Sequence, residues 1–172
     1  VTEVVADRVP EPAEALASAE SATGLFDWGA DQSWRPGLDA LLASARDDPS
    51  RTVRAGVRDE VERLLVIRLR LVADEQAEPG LVEVPIERPL FIVGFPRTGT
   101  SYLHELLALD PAARSPLAWE SRTPWPAPEL SSYDSDPRIA ATQARYEALL
   151  AVRPEFARCT PGAPRSRLNA TR

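Results

Sequence analysis

The sequence predicts an α/β fold preceded by a helical N-terminal region. Three observations predict it. Apolar residues recur at helical spacing through most of the first eighty positions. A short continuous apolar run, Leu90-Phe91-Ile92-Val93, follows them. That run passes directly into a glycine-bounded loop and then into a new helical pattern. Residues 1–80 are accordingly assigned to a helical region and 81–152 to the first part of an α/β core. Residues 153–172 are assigned to an irregular tail.

The elements follow in order. Residues 10–22, rich in Ala and Glu, predict a short helix with Leu16 as its weak anchor. Leu25, Phe26, Trp28 and Trp34 are expected to pin a loop onto the core. Leu38, Leu41, Leu42 and Ala45 mark a second helix, which Asp47-Asp48-Pro49 stops. A longer helix is predicted from about Val53 to Ala73, with Val57, Val61, Leu64, Leu65, Leu69 and Val72 on its apolar face. Asp59 and Arg63 form an i,i+4 pair on its surface, and Arg54, Arg58, Arg63, Arg68 and Arg70 read as its solvated side.

The period then changes. Leu81 to Ile86 alternates, but Pro85 reduces it to an edge strand or extended arm. Leu90 to Val93 is continuous, as in a strand covered on both faces. Leu103, Leu106 and Leu107 stripe the next helix, which ends at Asp110-Pro111. Residues 115–128, with four prolines and two tryptophans, read as an extended loop. Asp136-Pro137 supplies an N-cap and first-turn proline for a helix carrying Ile139, Tyr146, Leu149 and Leu150.

The loop between Gly94 and Ser101 carries the chemistry. A strand, a tight loop and a helix start gather backbone N–H groups around an anion. The spacing fits G-x-x-x-x-G-K-[ST], except that Thr100 stands at the lysine position. That lysine normally reaches the terminal phosphates of a nucleoside triphosphate, so its absence argues against an ATPase or GTPase. Arg97 supplies charge from inside the loop; Thr98, Thr100 and Ser101 supply hydroxyls; Gly94 and Gly99 permit close approach. The ligand implied is a phosphate or sulfate group on a nucleotide.

These residues also carry a resemblance. Pro89 to His104, reading Pro-Leu-Phe-Ile-Val-Gly-Phe-Pro-Arg-Thr-Gly-Thr-Ser-Tyr-Leu-His, resembles the opening of the sulfotransferases that use 3′-phosphoadenosine 5′-phosphosulfate (PAPS). The nearest group is the bacterial branch with a helical N-terminal region. The likeness continues through Asp110-Pro111, Trp119-Glu120 and the proline-rich loop to Asp136-Pro137-Arg138-Ile139, covering residues 25–157. It implies a P-loop-type parallel sheet with flanking helices, incomplete in this chain. It assigns Arg97, Thr98, Gly99, Thr100 and Ser101 to the 5′-phosphosulfate; family members more often have a second Thr where Ser101 stands. The activity implied is sulfuryl transfer to the hydroxyl or amine of a small-molecule acceptor, without a metal.

The family's later Arg and Ser for the 3′-phosphate, and its Lys-Ser-Pro-x-His-like segment, have no counterpart here, and the chain has no lysine at all. The catalytic base is therefore unassigned. Little activity is expected from a chain read as truncated. Family members resemble Pro-x-Phe-x-x-Met-His-Pro where this chain has Pro154 to Pro161; a one-base shift turns codons for Cys159-Thr160-Pro161 into Met-His-Pro, so the tail reads as a frameshift. The chain has no methionine, which points to a fragment or a non-standard start codon.

Composition narrows the alternatives. The 172 residues are 44% hydrophobic and 27% charged, as in globular proteins. The net charge of −6 divides into −7 over residues 1–50 and +1 over the remainder, which excludes a basic nucleic-acid surface. No apolar run approaches a membrane span, the N-terminus lacks a signal pattern, and a cytoplasmic location is expected. Cys159 is the sole cysteine, which rules out an internal disulfide. His104, the sole histidine, reads as a helix residue packed under the sheet or partly exposed, in preference to a partner supporting the anion loop or a proton acceptor, because it has no positioned partner in sequence. Trp119-Glu120 reads equally as acceptor-pocket lining or as packing. Two rival functions stand beside sulfuryl transfer: a P-loop nucleotide kinase or NTPase, and a non-enzymatic helical interaction module.

Overall fold

The computed structural model describes residues 8–95 and 98–155. These fall into two compact units divided between Pro85 and Ile86.

In the first unit, α1 (Pro12–Thr23) starts with Pro12 in its first turn, where the missing N–H costs nothing. The Glu14 carboxylate accepts from the Glu11 N–H at 2.9 Å. Gly24, with φ of 70°, closes the helix by donating its N–H to Glu20 O at 2.8 Å. Its buried residues are Ala15 and Ala19, small enough to bring α1 close against the long helix; Leu16 packs at the margin of the core. Helix α2 (Arg35–Asp47) buries Leu38, Leu42 and Ala45, while Leu41 turns outward.

Helix α3 (Arg51–Ala77) has 27 residues and is therefore about 40 Å long. The Ser50 hydroxyl caps it by accepting from the Val53 N–H at 3.3 Å. Val61, Leu65 and Leu69 form its buried stripe at four-residue spacing, and α1 and α2 both pack on it. Leu64, predicted on that face, is 48% exposed. Two surface expectations need correction. Arg63 pairs with Glu60 at 2.6 Å, not with Asp59, which takes Arg58 at 2.9 Å. Arg68 is not on a solvated side: its guanidinium stacks 4.9 Å from the Trp34 ring centre and donates to the carbonyls of Trp28 and Asp31 at 3.1 and 2.6 Å. It thereby ties the aromatic loop to α3. Trp28 is buried against Trp34, with ring centres 5.5 Å apart; Phe26 is exposed.

The predicted sheet is not found: among the described residues there is no strand. After a short 3-10 turn at Pro79–Leu81, the chain runs to Phe95 without regular pairing. Leu90, Phe91 and Val93 are 72%, 79% and 90% exposed. The reason is that a strand consists of hydrogen bonds to a neighbour. The apolar run reads as a buried strand, but no described segment lies alongside to accept its N–H groups or cover its faces.

The second unit is helical where it is regular. Helix α4 (Thr100–Leu107) follows the Gly94–Gly99 turn, and its apolar stripe, Leu103, Leu106 and Leu107, is exposed. The predicted extended loop contains a short helix, α5 (Ala118–Arg122), and a 3-10 turn, Leu130–Ser135, leads into α6 (Pro137–Val152). The Asp136 carboxylate caps α6 by accepting from the Arg138 N–H at 2.8 Å, as the Asp-Pro pair predicts. Among the described residues no helix is long and apolar enough to cross a membrane. The irregular tail lies outside the described residues from position 156 onward.

Truncating a buried leucine tests the α3 core. Leu69→Ala is expected to destabilise the first unit by about 2–5 kcal/mol in urea unfolding, while Leu64→Ala changes it by no more than about 0.5 kcal/mol.

Candidate anion site

The loop is built around one carbonyl. Phe95 O accepts from the Thr98 N–H at 3.3 Å and from the Thr98 hydroxyl at 2.7 Å. Both donors of Thr98 are thus spent on shaping the turn. Gly94 sits beneath it: a Cβ there would lie 2.9 Å from Thr98 Oγ1 and 2.9 Å from Thr100 Cγ2. Gly99 adopts φ of 88°, the left-handed region that side chains disfavour, and its carbonyl accepts the first α4 bond, from the Leu103 N–H at 2.9 Å. Three consecutive N–H groups, of Thr100, Ser101 and Tyr102, then open the helix without an intrahelical acceptor. With the helix dipole they favour an anion. Arg97, the expected cation of the loop, lies outside the described residues.

An open cleft of about 420 Å³ adjoins α4. It is lined by Leu90, Phe91 and Ile92 on one side and by Thr100, Ser101, His104 and Glu105 on the other. His104 is exposed, not packed under a sheet, and its Nε2 shares a 2.6 Å hydrogen bond with Ser115 Oγ. The partner that the sequence did not reveal is eleven residues away, across the turn that follows α4.

Trp119 and Glu120 are buried and do not line that cleft. Glu120 is 7% exposed, yet its oxygens are served by the Arg114 guanidinium at 2.5 Å, the Leu117 N–H at 2.7 Å and the Tyr133 hydroxyl at 2.8 Å. Burial pushes the Tyr133 phenol upward, and its bond to the Glu120 carboxylate adds to this. The Trp119 ring meets Tyr133 edge-on, 5.3 Å between centres, and Arg138 lies 4.7 Å over its face. Arg138 also donates to the carbonyls of Thr123 and Pro126 at 2.9 and 2.6 Å and to both oxygens of Asp136. Sequence reading missed Arg138 as a hub. Its only signal was position, two residues after a capping Asp.

The arrangement can bind an anion at the start of α4 and hold a ligand against the adjoining apolar wall. Among the described residues no group of His, Cys, Asp and Glu is placed to hold a metal ion.

Comparison with known proteins supplies the context. Residues 89–165 match the model of the Sulfotransferase family. Among curated proteins none matches the chain. Two solved structures are similar. The sulfotransferase STF1 from Mycobacterium tuberculosis H37Rv is 31% identical, with a TM-score of 0.70, over 86% of this chain and 41% of that one. The sulfotransferase STF9 from Mycobacterium avium is 32% identical, with a TM-score of 0.72, over 86% of this chain and 38% of that one. The chain therefore spans about two fifths of the length of these relatives.

The Asp136–Arg138 pair predicts an acid step. Hydrogen bonding from the Arg138 guanidinium holds the Asp136 carboxyl below its ordinary 3.8, against burial, which pulls the other way. A lowered folded-state value means that the stabilisation is complete above pH 3.8 and is lost as pH falls below it. Amide-exchange protection in α6, taken relative to the intrinsic rate at each pH, is expected to fall over that acid range, and Asp136→Asn to abolish that fall. Glu120→Ala, which strands the Tyr133 hydroxyl and Leu117 N–H, is expected to destabilise the same amides by about 1–3 kcal/mol at neutral pH.

Proposed function

We propose that this chain, which belongs to a sulfotransferase family, carries the site for the phosphosulfate end of PAPS, from which the complete enzyme transfers a sulfuryl group to a small-molecule hydroxyl or amine. The observation that carries this reading is the start of α4: three N–H groups without helical acceptors, two hydroxyls, and a Gly94 cradle that a Cβ would fill, all inside the family-matched segment.

The donor set fits the group. Thr100 and Ser101 would hold its oxygens through N–H and hydroxyl, Gly99 through close backbone approach, and Arg97 through charge. Thr98 would keep the turn in shape. PAPS supplies the activated sulfuryl group; this chain's residues bind and orient it and stabilise negative charge at its oxygens. In this proposal the apolar run Leu90 to Val93 becomes a strand of a P-loop-type parallel sheet once neighbouring strands cover it, and the reaction takes place in the cytoplasm. The absent P-loop lysine weighs against a nucleoside triphosphate as ligand. Little turnover is expected from these 172 residues alone, because they span two fifths of the related enzymes.

Calorimetric titration with 3′-phosphoadenosine 5′-phosphate (PAP) tests the reading. Binding is expected for the wild-type chain and its loss for Arg97→Ala. Gly94→Ala, which drives a methyl group into Thr98 Oγ1, is expected to weaken binding by roughly 5- to 150-fold, matching an overpacking cost of about 1–3 kcal/mol. A folded wild-type chain that binds no PAP, or that binds nucleoside triphosphate with magnesium instead, would overturn it.

A further inference from the structure

Resting on the reading above, we propose that His104, held by Ser115, is a further contact for the phosphosulfate end of the donor nucleotide. His104 follows Thr100 by four residues on α4, so the two share a helix face. Side chains on a helix lean toward its N-terminus, which brings the imidazole back over the turn bearing Thr100 and Ser101. All three residues line the same cleft.

The imidazole is held from outside the helix. Ser115 Oγ lies 2.6 Å from Nε2. Ser115 in turn belongs to a segment fastened on both sides of it, because the Arg114 side chain and the Leu117 N–H both donate to buried Glu120. The ring is therefore oriented before any ligand arrives, and ordering it at binding costs little.

The chemistry of the pair suits an anion in either protonation state. A serine hydroxyl both donates and accepts. A neutral ring takes the Ser115 proton at Nε2 and carries its own at Nδ1. A protonated ring donates from both nitrogens, with Ser115 accepting. In these two forms Nδ1 offers an N–H to the ligand, and the protonated form adds a charge; an anion disfavours the remaining tautomer, in which Nε2–H donates to Ser115 and Nδ1 is an acceptor. Glu105 is the other ionisable side chain lining the cleft, and the wall from Leu90 to Ile92 contributes none.

His104 is the only histidine in the chain, which makes its ring signals a clean probe. The experiment titrates the isotopically labelled 172-residue chain with PAP, following the ring resonances by NMR and binding by calorimetry. The ring resonances are expected to move in step with saturation. PAP affinity is expected to fall in His104→Gln by up to on the order of tenfold. Ser115→Ala is expected to fall between the two. PAP binding with unmoved ring resonances, or an unchanged affinity in His104→Gln, overturns the role of His104 and leaves the anion site standing. Absence of PAP binding by the folded wild-type chain overturns both.

Discussion

A carboxylate taken out of water costs several kcal/mol unless donors replace the water it loses. In the second unit that constraint falls on Glu120, and much of the local arrangement follows from it. Three donors converge on its two oxygens: a guanidinium from the preceding turn, the backbone N–H at the start of α5, and the phenol of Tyr133. Meeting this demand brings Arg114, Leu117 and Tyr133 together around one point. Ser115, between the first two, is carried into reach of His104. Trp119, beside Glu120 in sequence, is carried under Tyr133 and Arg138. The tie between α4 and the rest of the unit runs through the donors that satisfy this buried charge.

The first unit solves a different problem. Its long helix exceeds what α1 and α2 can cover with large side chains, and α1 approaches through Ala15 and Ala19. Small residues let backbones come close and gain dispersion contacts that a larger side chain would prevent. The aromatic loop between α1 and α2 is then held by Arg68, whose charge is spread over a ring face and two carbonyls. An arginine with its head occupied in this way is a packing element.

Much of this was legible in the sequence, for identifiable reasons. Helix positions and stops are written locally, in the spacing of Leu38, Leu42 and Ala45, in Pro49, and in Asp136-Pro137. The turn before α4 was legible because Gly94, Gly99 and the hydroxyl residues occur at spacings that a tight turn before a helix demands. The partner of Arg63 was misread because Asp59 and Glu60 offer two acceptors on adjacent faces, and rotamer geometry chose Glu60. Arg68 was misread because a charged residue at the edge of the apolar stripe looks solvated until a loop is found lying over it.

The sequence by itself determined the longer helices, the Asp136 cap and the turn that precedes α4, since each depends on residues within one or two turns of chain. Tertiary structure decided which residues meet: Ser115 with His104, Tyr133 with Glu120, Arg138 with Trp119 and the loop carbonyls. It also decided that Leu90 to Val93 remains unpaired among the described residues. A helix makes its hydrogen bonds within itself, so its pattern is self-contained. A strand and a buried charge draw their partners from distant chain, and no local reading of residues can supply them.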